Sequence, residues 1–342
     1  MDGRIDLAAL QVWMDRQGLG TGPLEGIEYL SGGTQNILLR FFRVERPYIL
    51  RRPPPVLRAN SNETMRREAR ILAALAGTDV PHPGLIAACP DDSVIGAAFY
   101  LMEPIDGFNP TQGLPQPHAG DAAMRRRMGF AMVDAIAALS KVDHTALGLA
   151  DFGKLDNWLE RQVGRWAAQL ASYADLPGWT GASAIPGVDK VGRWLEANRP
   201  QNCQGGIIHG DFHFGNVLFR RDSGELAAVV DWELCTLGDP LLDLGWLVAT
   251  WPEGETPHAT DVAITPWDGF ASPDELVAHY AAQTGRDLAH FDWFAVLACY
   301  KLGIILEGTH ARACAGKAPR EVGDRLHAHT LYLFERALRR IG

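Results

Sequence analysis

The 342-residue sequence has an ordinary composition for a soluble protein, with 47% hydrophobic and 21% charged residues. Its net charge of −9, most of which falls after residue 103, argues against a nucleic-acid partner, for which a concentrated basic face would be expected. The five cysteines are scattered and form no Cys-x-x-Cys pair, so we predict neither a disulfide framework nor a zinc site. The N-terminus lacks a basic start followed by an apolar core, and no apolar run is long enough for a membrane span. We expect a cytoplasmic protein with no membrane partner.

The first hundred residues are predicted to be rich in strands, and the remainder mostly helical. Apolar spacing and turn residues predict a helix at 7–17, strands at 27–30, 36–44, 47–52 and 97–102, and a second helix at 63–76. We place the boundary after Glu103, which gives two domains, 1–103 and 104–342. Helical spacing in the second domain covers 121–142, 155–173, 188–198, 273–283, 291–309 and 321–340.

A predicted β-hairpin carries the most informative residues. Apolar runs at 217–219 and 226–230 flank turn residues centred between Ser223 and Gly224. Asn216 and Asp231 lie equally far from that centre, so we expect them to meet at the open end of the hairpin. A magnesium ion prefers oxygen ligands and usually takes only one or two from protein, so this amide and carboxylate would suffice. Asp211 would then be available to accept a proton from a substrate hydroxyl.

The same segment allows a different interpretation. His209, Asp211 and His213 alternate, and in an extended chain they would project from one face as ligands of a hydrolytic metal. The other close histidine pair, His327 and His329, lies in a stretch of helical spacing, where solvated or capping histidines are commoner than ligands. A hydrophobic hairpin with an aspartate and an asparagine at its ends is also an ordinary structural feature without any catalytic role.

Several motifs together resemble one known family. They are Leu30 to Asn36, Tyr48 to Pro53, Arg67 to Leu72, His209 to Asn216, Asp231 to Pro240, Leu242 to Trp246 and Lys301 to Gly308. With these motifs the chain resembles the aminoglycoside phosphotransferase and choline kinase superfamily, in particular the kinase-like domains related to those fused to acyl-CoA dehydrogenases. The resemblance implies an α+β, bilobal, protein-kinase-like fold. Its N-lobe has a small antiparallel sheet and one key helix, and its larger C-lobe is mainly helical.

The resemblance also implies roles for individual residues. Asp211 corresponds to the catalytic base, and Asn216 and Asp231 to the metal ligands. The implied nucleotide-binding residues are Ser31, Gly32, Gly33, Thr34, Gln35, Arg51, Glu68, Met102 and Glu103. His209, Asp239 and Asp243 are expected to support the structure, and Glu233 and Trp232 to contact the substrate.

One position departs from the family pattern. Such enzymes usually place a lysine against the nucleotide phosphates, whereas this strand has Arg51 and Arg52. Strand alternation lets only one of them face the cleft, and the spacing favours Arg51, with Glu68 as its partner. Arginine keeps its charge and can bind phosphate bidentately, but it is not interchangeable with lysine. His213 receives no role from either line of reasoning.

The function implied by the resemblance is magnesium-dependent transfer of the γ-phosphoryl group of ATP or GTP to a hydroxyl of a small molecule. A hydroxyacyl thioester, an aminoglycoside-like compound or another hydroxylated metabolite are the candidate acceptors. A catalytically silent, nucleotide-binding homologue is the remaining alternative, although a protein that only binds nucleotide needs no base such as Asp211. The sequence leaves the acceptor, the choice of nucleotide and the oligomeric state open.

Overall fold

The computed structural model describes residues 5–30, 36–252 and 264–342, so the predicted phosphate loop at 31–35 lies outside the described residues. The described residues form α-helices in the following order: α1 (Leu7–Arg16), α2 (Ser61–Leu75), α3 (Ala122–Ser140), α4 (Trp158–Ala171), α5 (Val188–Ala197), α6 (Leu241–Thr250), α7 (Pro273–Thr284), α8 (Phe291–Cys314) and α9 (Arg320–Ile341). The strands are β1 (Glu25–Leu30), β2 (Ile37–Arg43), β3 (Arg46–Arg52), β4 (Leu85–Cys89), β5 (Phe99–Met102), β6 (Gly206–Ile208), β7 (Val217–Phe219), β8 (Leu226–Val229) and β9 (Thr236–Gly238).

The chain divides into two compact units. The first unit comprises Met1–Phe108, Val217–Arg221 and Leu226–Cys235. The second unit comprises Asn109–Asn216, Asp222–Glu225 and Thr236–Gly342. The predicted separation of two functional domains after residue 103 stays a prediction.

The first unit contains a five-stranded antiparallel sheet with strand order β1-β2-β3-β5-β4. Successive side chains of a strand point to opposite faces. Tyr48 and Leu50 of β3 therefore pack into one core with α1, whereas Arg51 turns to the other face and contacts Glu68 of α2. Helices α1 and α2 thus cover opposite faces, and α2 holds an acidic side chain against β3.

The predicted hairpin is formed by β7 and β8, within the first unit. Val217 pairs with Val229, one residue away from the symmetrical register that the sequence suggested. The register changes after Leu218. Leu218 pairs with Ala228 and Phe219 pairs with Leu226, so Ala227 has no partner in the ladder. A bulge of this kind places one extra residue in one strand and displaces everything beyond it.

Helix α8 forms the centre of the second unit, where it packs against α4, α5, α6 and α9. It is buried on nearly every side over 24 residues, and its buried charged side chains include Lys301 and Glu307. A second two-stranded sheet pairs β6 with β9, with Gly206 opposite Gly238. This pairing fixes the start of the loop that follows Ile208.

Some elements were missing from the sequence prediction, and others differ in length. Strand β4 is alanine-rich and β9 has only three residues, so neither shows a clear alternation. Helix α6 is buried over nearly its whole length and lacks a polar face, which hides its helical period. Helix α8 continues to Cys314 instead of ending at residue 309. Within the described ranges, none of the helices combines the length and apolarity needed to cross a bilayer.

Candidate active site

The loop after β6 is held by a buried aspartate of the second unit. Asp243, on α6, accepts hydrogen bonds from the backbone N–H groups of His209 (2.6 Å) and Gly210 (2.9 Å). Burial raises the pKa of the Asp243 carboxyl, and His209 and the two backbone donors oppose that increase. Lys301 completes the anchor from α8 by donating to the Gly210 carbonyl at 3.1 Å. The loop is therefore pinned by two helices through its own backbone.

A second aspartate positions the start of α6. Asp239 is fully buried, and its carboxylate accepts a hydrogen bond from the Leu241 N–H at 3.0 Å, in the manner of a helix cap. Arg286 pairs with the same carboxylate at 2.7 Å. Because α6 also carries Asp243, the position of Asp239 bears indirectly on the loop.

Asp211 is oriented by three side chains of the second unit. One carboxylate oxygen, Oδ1, accepts from the Trp246 indole at 3.1 Å, and Oδ2 accepts from the Asn216 amide nitrogen at 2.9 Å. His213 Nε2 lies 3.4 Å from Oδ1. Burial alone would raise the pKa of Asp211, but His213, His209 and Lys301 together lower it to about 2. The carboxylate is therefore ionised at neutral pH and able to accept a proton.

Asn216 shows which of its atoms remains for a ligand. Its amide nitrogen donates to the Asp211 carboxylate and also to the Asp211 backbone carbonyl, each at 2.9 Å. With the NH₂ group turned to Asp211, the amide presents its oxygen as the remaining acceptor. Oxygen is the atom that magnesium prefers. The predicted metal-ligand role of Asn216 is chemically consistent with this orientation.

The histidines of the loop contact its other members. His209 is fully buried, and its Nδ1 accepts from the Asp211 N–H at 3.4 Å. His213, which had no role in the sequence analysis, accepts the Gly215 N–H on Nδ1 at 3.0 Å. The proton of the neutral ring then sits on Nε2, facing Asp211. His213 is a positioning residue for the carboxylate of Asp211.

A pH profile tests this contact. We expect His213→Phe to raise the pKa of Asp211, since the hydrogen bond from His213 lowers that pKa and burial then acts with less opposition. A base works only when deprotonated, so a higher pKa moves the acid limb of kcat/KM to higher pH. The profile of His290→Phe, which changes an exposed histidine, should match the wild type. Superimposable wild-type and His213→Phe profiles would remove His213 from this role.

The hydrolytic interpretation of this loop is wrong. It required an extended segment, whereas Gly210 has φ +85° and a 3₁₀ turn covers Phe214–Asn216. Within residues 5–30, 36–252 and 264–342, the groups of three side chains close enough to share a metal do not include His209, Asp211 and His213. These three side chains serve the loop instead.

The first unit contains a separate charged cluster around Arg51. Its guanidinium donates to both carboxylate oxygens of Glu68, at 2.8 and 3.2 Å, and Nη2 also lies 2.5 Å from Asp231 Oδ1. Tyr100 donates a third hydrogen bond to Glu68, at 2.8 Å. Burial acts against the charge of Arg51, but Glu68, Tyr100 and Asp231 together raise its pKa. Arg52 faces away and donates to the carbonyls of Pro53 and Ile95.

Acidic groups exceed cations in this cluster. Carboxylate oxygens of Glu68, Asp231 and Glu233 all lie within 4.8 Å of one another. Burial raises the pKa of Glu233, and the charges of Asp231 and Glu68 add to that increase. Asp231 adopts a left-handed backbone conformation with φ +66°. The arrangement attracts cations, and it leaves the Asp231 side chain 37% exposed.

Three other predicted site residues of the first unit already make contacts within it. Glu103 donates its backbone N–H to the Gly84 carbonyl at 2.8 Å, so that donor is already engaged. Met102 pairs in the sheet with Ile49 and Leu85. Trp232 is 4% exposed and donates its indole N–H to the Val229 carbonyl, so its side chain packs within this unit, and its contact with the substrate stays a prediction.

Two residues of the site escaped the sequence analysis. Trp246 contacts Asp211, and Lys301 contacts the loop carbonyl of Gly210. Lys301 is a single cation in an otherwise apolar stretch of α8, which is the signal that could have revealed it. Burial lowers the pKa of Lys301 to about 8, although Asp243 and Asp211 oppose the decrease. Trp246 follows Asp243 by three residues and so lies on the same side of α6.

The chain matches one protein family and several curated proteins. A model of the phosphotransferase enzyme family matches residues 27–295. Acyl-CoA dehydrogenase family member 11 of Homo sapiens is 31% identical over 274 residues, which are 79% of this chain and 34% of that protein. The chain spans roughly a quarter to two fifths of the length of the curated relatives it matches.

Solved structures share the fold. A protein from Ralstonia eutropha, described provisionally as an aminoglycoside phosphotransferase, is 30% identical, with a TM-score of 0.81 and coverage of 98% of this chain and 99% of that one. The aminoglycoside phosphotransferase APH(4)-Ia, as a thermostable mutant in ternary complex with AMP-PNP and hygromycin B, is 15% identical with a TM-score of 0.58. The alignment covers 94% of this chain and 97% of that one.

Proposed function

Because this chain belongs to the phosphotransferase enzyme family, whose chemistry makes it a small-molecule kinase, we propose that Asp211 is its catalytic base. The reaction is transfer of the γ-phosphoryl group of ATP or GTP to the hydroxyl of a small molecule. The observation that carries the proposal is the loop itself. Asp211 is ionised, fixed by Trp246 and Asn216, and anchored through the Asp243 contacts to the backbone.

In this mechanism Asp211 accepts the proton of the acceptor hydroxyl as the new P–O bond forms. The bond from the γ-phosphorus to the bridging oxygen breaks, and the nucleoside diphosphate leaves with the electron pair. Trp246 and His213 keep the carboxylate in place through the step. Most of the acceleration in such enzymes comes from positioning and from stabilisation of charge on the phosphoryl oxygens.

We place a magnesium ion on the oxygen of Asn216 and the carboxylate of Asp231. Asn216 directly precedes Val217, which pairs with Val229, and Asp231 follows Val229 by two residues. The register of the hairpin supports the pair, and the chemistry of both side chains fits the ion. Bound there, magnesium would supply charge neutralisation for the nucleotide phosphates. Arg51 would contribute a second positive charge to the same phosphates.

Asp231→Asn tests the metal assignment with little change to the backbone. Asparagine tolerates the left-handed conformation of this residue, so the turn should persist. We expect nucleotide binding to need more magnesium, because a charged oxygen ligand has been lost. Calorimetric titration of nucleotide at several magnesium concentrations measures the shift, with the exposed Asp222→Asn as the matched control. An unchanged magnesium dependence would exclude Asp231 as a ligand.

For the acceptor we propose a hydroxyacyl thioester. The relative named acyl-CoA dehydrogenase family member 11 supports this class, whereas the name of APH(4)-Ia and the acidic charge after residue 103 support a cationic aminoglycoside. The test is a screen for ATP and GTP consumption in the presence of magnesium, with hydroxyacyl-CoA compounds, aminoglycosides and neutral sugars as separate arms. Turnover confined to the aminoglycoside arm would overturn the acceptor while keeping the reaction. Nucleotide binding without turnover in any arm would favour the silent homologue.

A further inference from the structure

Helices α8 and α9 bring together three metal-ligating side chains that the proposed phosphoryl transfer does not use. Glu307 and His310 are three residues apart on α8 and therefore lie on one face of that helix. His327 lies on α9, which packs along α8. A carboxylate oxygen and one nitrogen from each ring all lie within 4.8 Å of one another.

Glu307 is oriented as a ligand would be. It is fully buried, and Oε1 accepts a hydrogen bond from the Trp179 indole at 2.7 Å. Oε2 lies 2.7 Å from His327 Nδ1. A buried carboxylate is costly unless its charge is compensated, so the position calls for a permanent positive partner. His327 alone can supply that charge only while it is protonated.

His310 is the group that the surrounding protein leaves incompletely satisfied. Its side chain is more than nine-tenths buried and stacks on the His327 ring, with centroids 4.4 Å apart. His310 Nδ1 forms no hydrogen bond of acceptable geometry within the described part of the chain, although Asp324 lies 3.5 Å away. Nε2 lies 3.5 Å from Cys314 Sγ, a weak partner. A neutral imidazole offers a lone pair to a metal.

We propose that Glu307, His310 and His327 bind a divalent transition-metal ion of the zinc class. Two imidazoles and one carboxylate suit such borderline ions, whereas magnesium and calcium prefer oxygen ligands alone. Metal–ligand bonds of about 2.0–2.1 Å place the ligand atoms of a tetrahedral site about 3.3 Å apart. On binding, the three side chains therefore move slightly closer together. The two stacked rings also rotate so that their lone pairs point at the ion. Each ring coordinates the ion through a nitrogen that carries no proton. Water completes the fourth position.

The ion would join the two helices that close the C-terminal part of the second unit. His327 is partly exposed, with 22% of its side chain accessible, so an ion can enter from solvent on that side. This site is separate from the proposed catalytic loop and does not depend on the proposed reaction. A simple buried ion pair between Glu307 and His327 is the competing explanation, and it predicts no metal affinity.

Metal titration of the chelator-treated protein decides between the two explanations. Zinc is titrated by calorimetry and cobalt by visible absorption, both with magnesium in excess so that oxygen-lined sites are filled. We expect one equivalent of zinc, tetrahedral cobalt bands, and a zinc-dependent increase in Tm. His327→Asn and Glu307→Gln should lose all three signals. His290→Asn, which changes an exposed histidine at the start of α8, should keep them.

Two results would contradict the proposed metal site. Absence of cobalt bands in the folded wild-type protein would overturn the site. Equal stoichiometry in wild type and His327→Asn would do the same, because the bound ion would then lie elsewhere. Since Glu307 is fully buried, its variant is susceptible to unfolding, and the partly exposed His327 then decides the outcome.

Discussion

Asp211→Asn should abolish most phosphoryl transfer while leaving nucleotide binding measurable. General base catalysis contributes about 10²–10⁴-fold to a rate, so we expect kcat to fall by that factor. Asparagine keeps an oxygen for the Trp246 indole, but it cannot accept a proton and places its own NH₂ group against that of Asn216. Steady-state kinetics and calorimetric nucleotide binding measure the two effects separately.

The matched control for this substitution is Asp222→Asn, which removes an exposed carboxylate from the turn between β7 and β8. It should leave kcat unchanged. Normal turnover in Asp211→Asn would exclude Asp211 as the base. A parallel loss of nucleotide binding would instead assign it to binding.

Arg51→Met should destabilise the protein strongly. It removes the partner of Glu68, a carboxylate with almost no solvent exposure, and leaves that charge with only the Tyr100 hydroxyl. Breaking a buried ion pair by deleting one member costs about 3–5 kcal/mol, and we expect the free energy of unfolding to fall by that amount. Urea denaturation measures the change. Arg51→Lys keeps the charge and should reduce the free energy of unfolding by less.

A double variant distinguishes the contribution of the Arg51–Glu68 ion pair from that of side-chain packing. Arg51→Met combined with Glu68→Met removes both charges, so the penalty of an uncompensated carboxylate disappears and stability should recover most of the loss. Additive losses would mean that the two side chains act independently. In that case the ion pair would not explain the burial of Glu68.

Sequence reasoning reached most of the fold because its elements obey simple periods. Helices such as α2 and α5 have one apolar face. Strand β2 alternates in burial, and β3 is a short buried run that ends at a series of prolines. The elements it missed are those without a period, namely the uniformly buried α6 and the short strands β4 and β9. Local spacing carries no information about a helix that is apolar on every side.

The candidate site shows the same division. Residues of one motif, such as Asp211 and Asn216, could be proposed from the sequence because their spacing is local. Trp246 and Lys301 reach the loop from helices 35 and 91 residues further along the chain, and only folding brings them there. The role of His213 required a turn that its alternating pattern concealed. The hairpin register was missed because the turn is centred one residue earlier than its composition suggests. Phe219 pairs with Leu226, two residues from the symmetrical register, and the bulge at Ala227 reduces the difference to one at Val217.

The guanidinium of Arg51 has a property that a lysine in its place would lack. A lysine ammonium has a single nitrogen, and all its hydrogen bonds to Glu68 of α2 and to any bound anion would have to come from that one atom. Arginine distributes five N–H donors over a planar fork, and here Nε and Nη2 hold Glu68 while Nη2 also reaches Asp231. The side chain can therefore exchange one anionic neighbour for another without releasing the helix. Arrival and departure of a nucleotide would then leave the geometry of β3 and α2 intact from one turnover to the next.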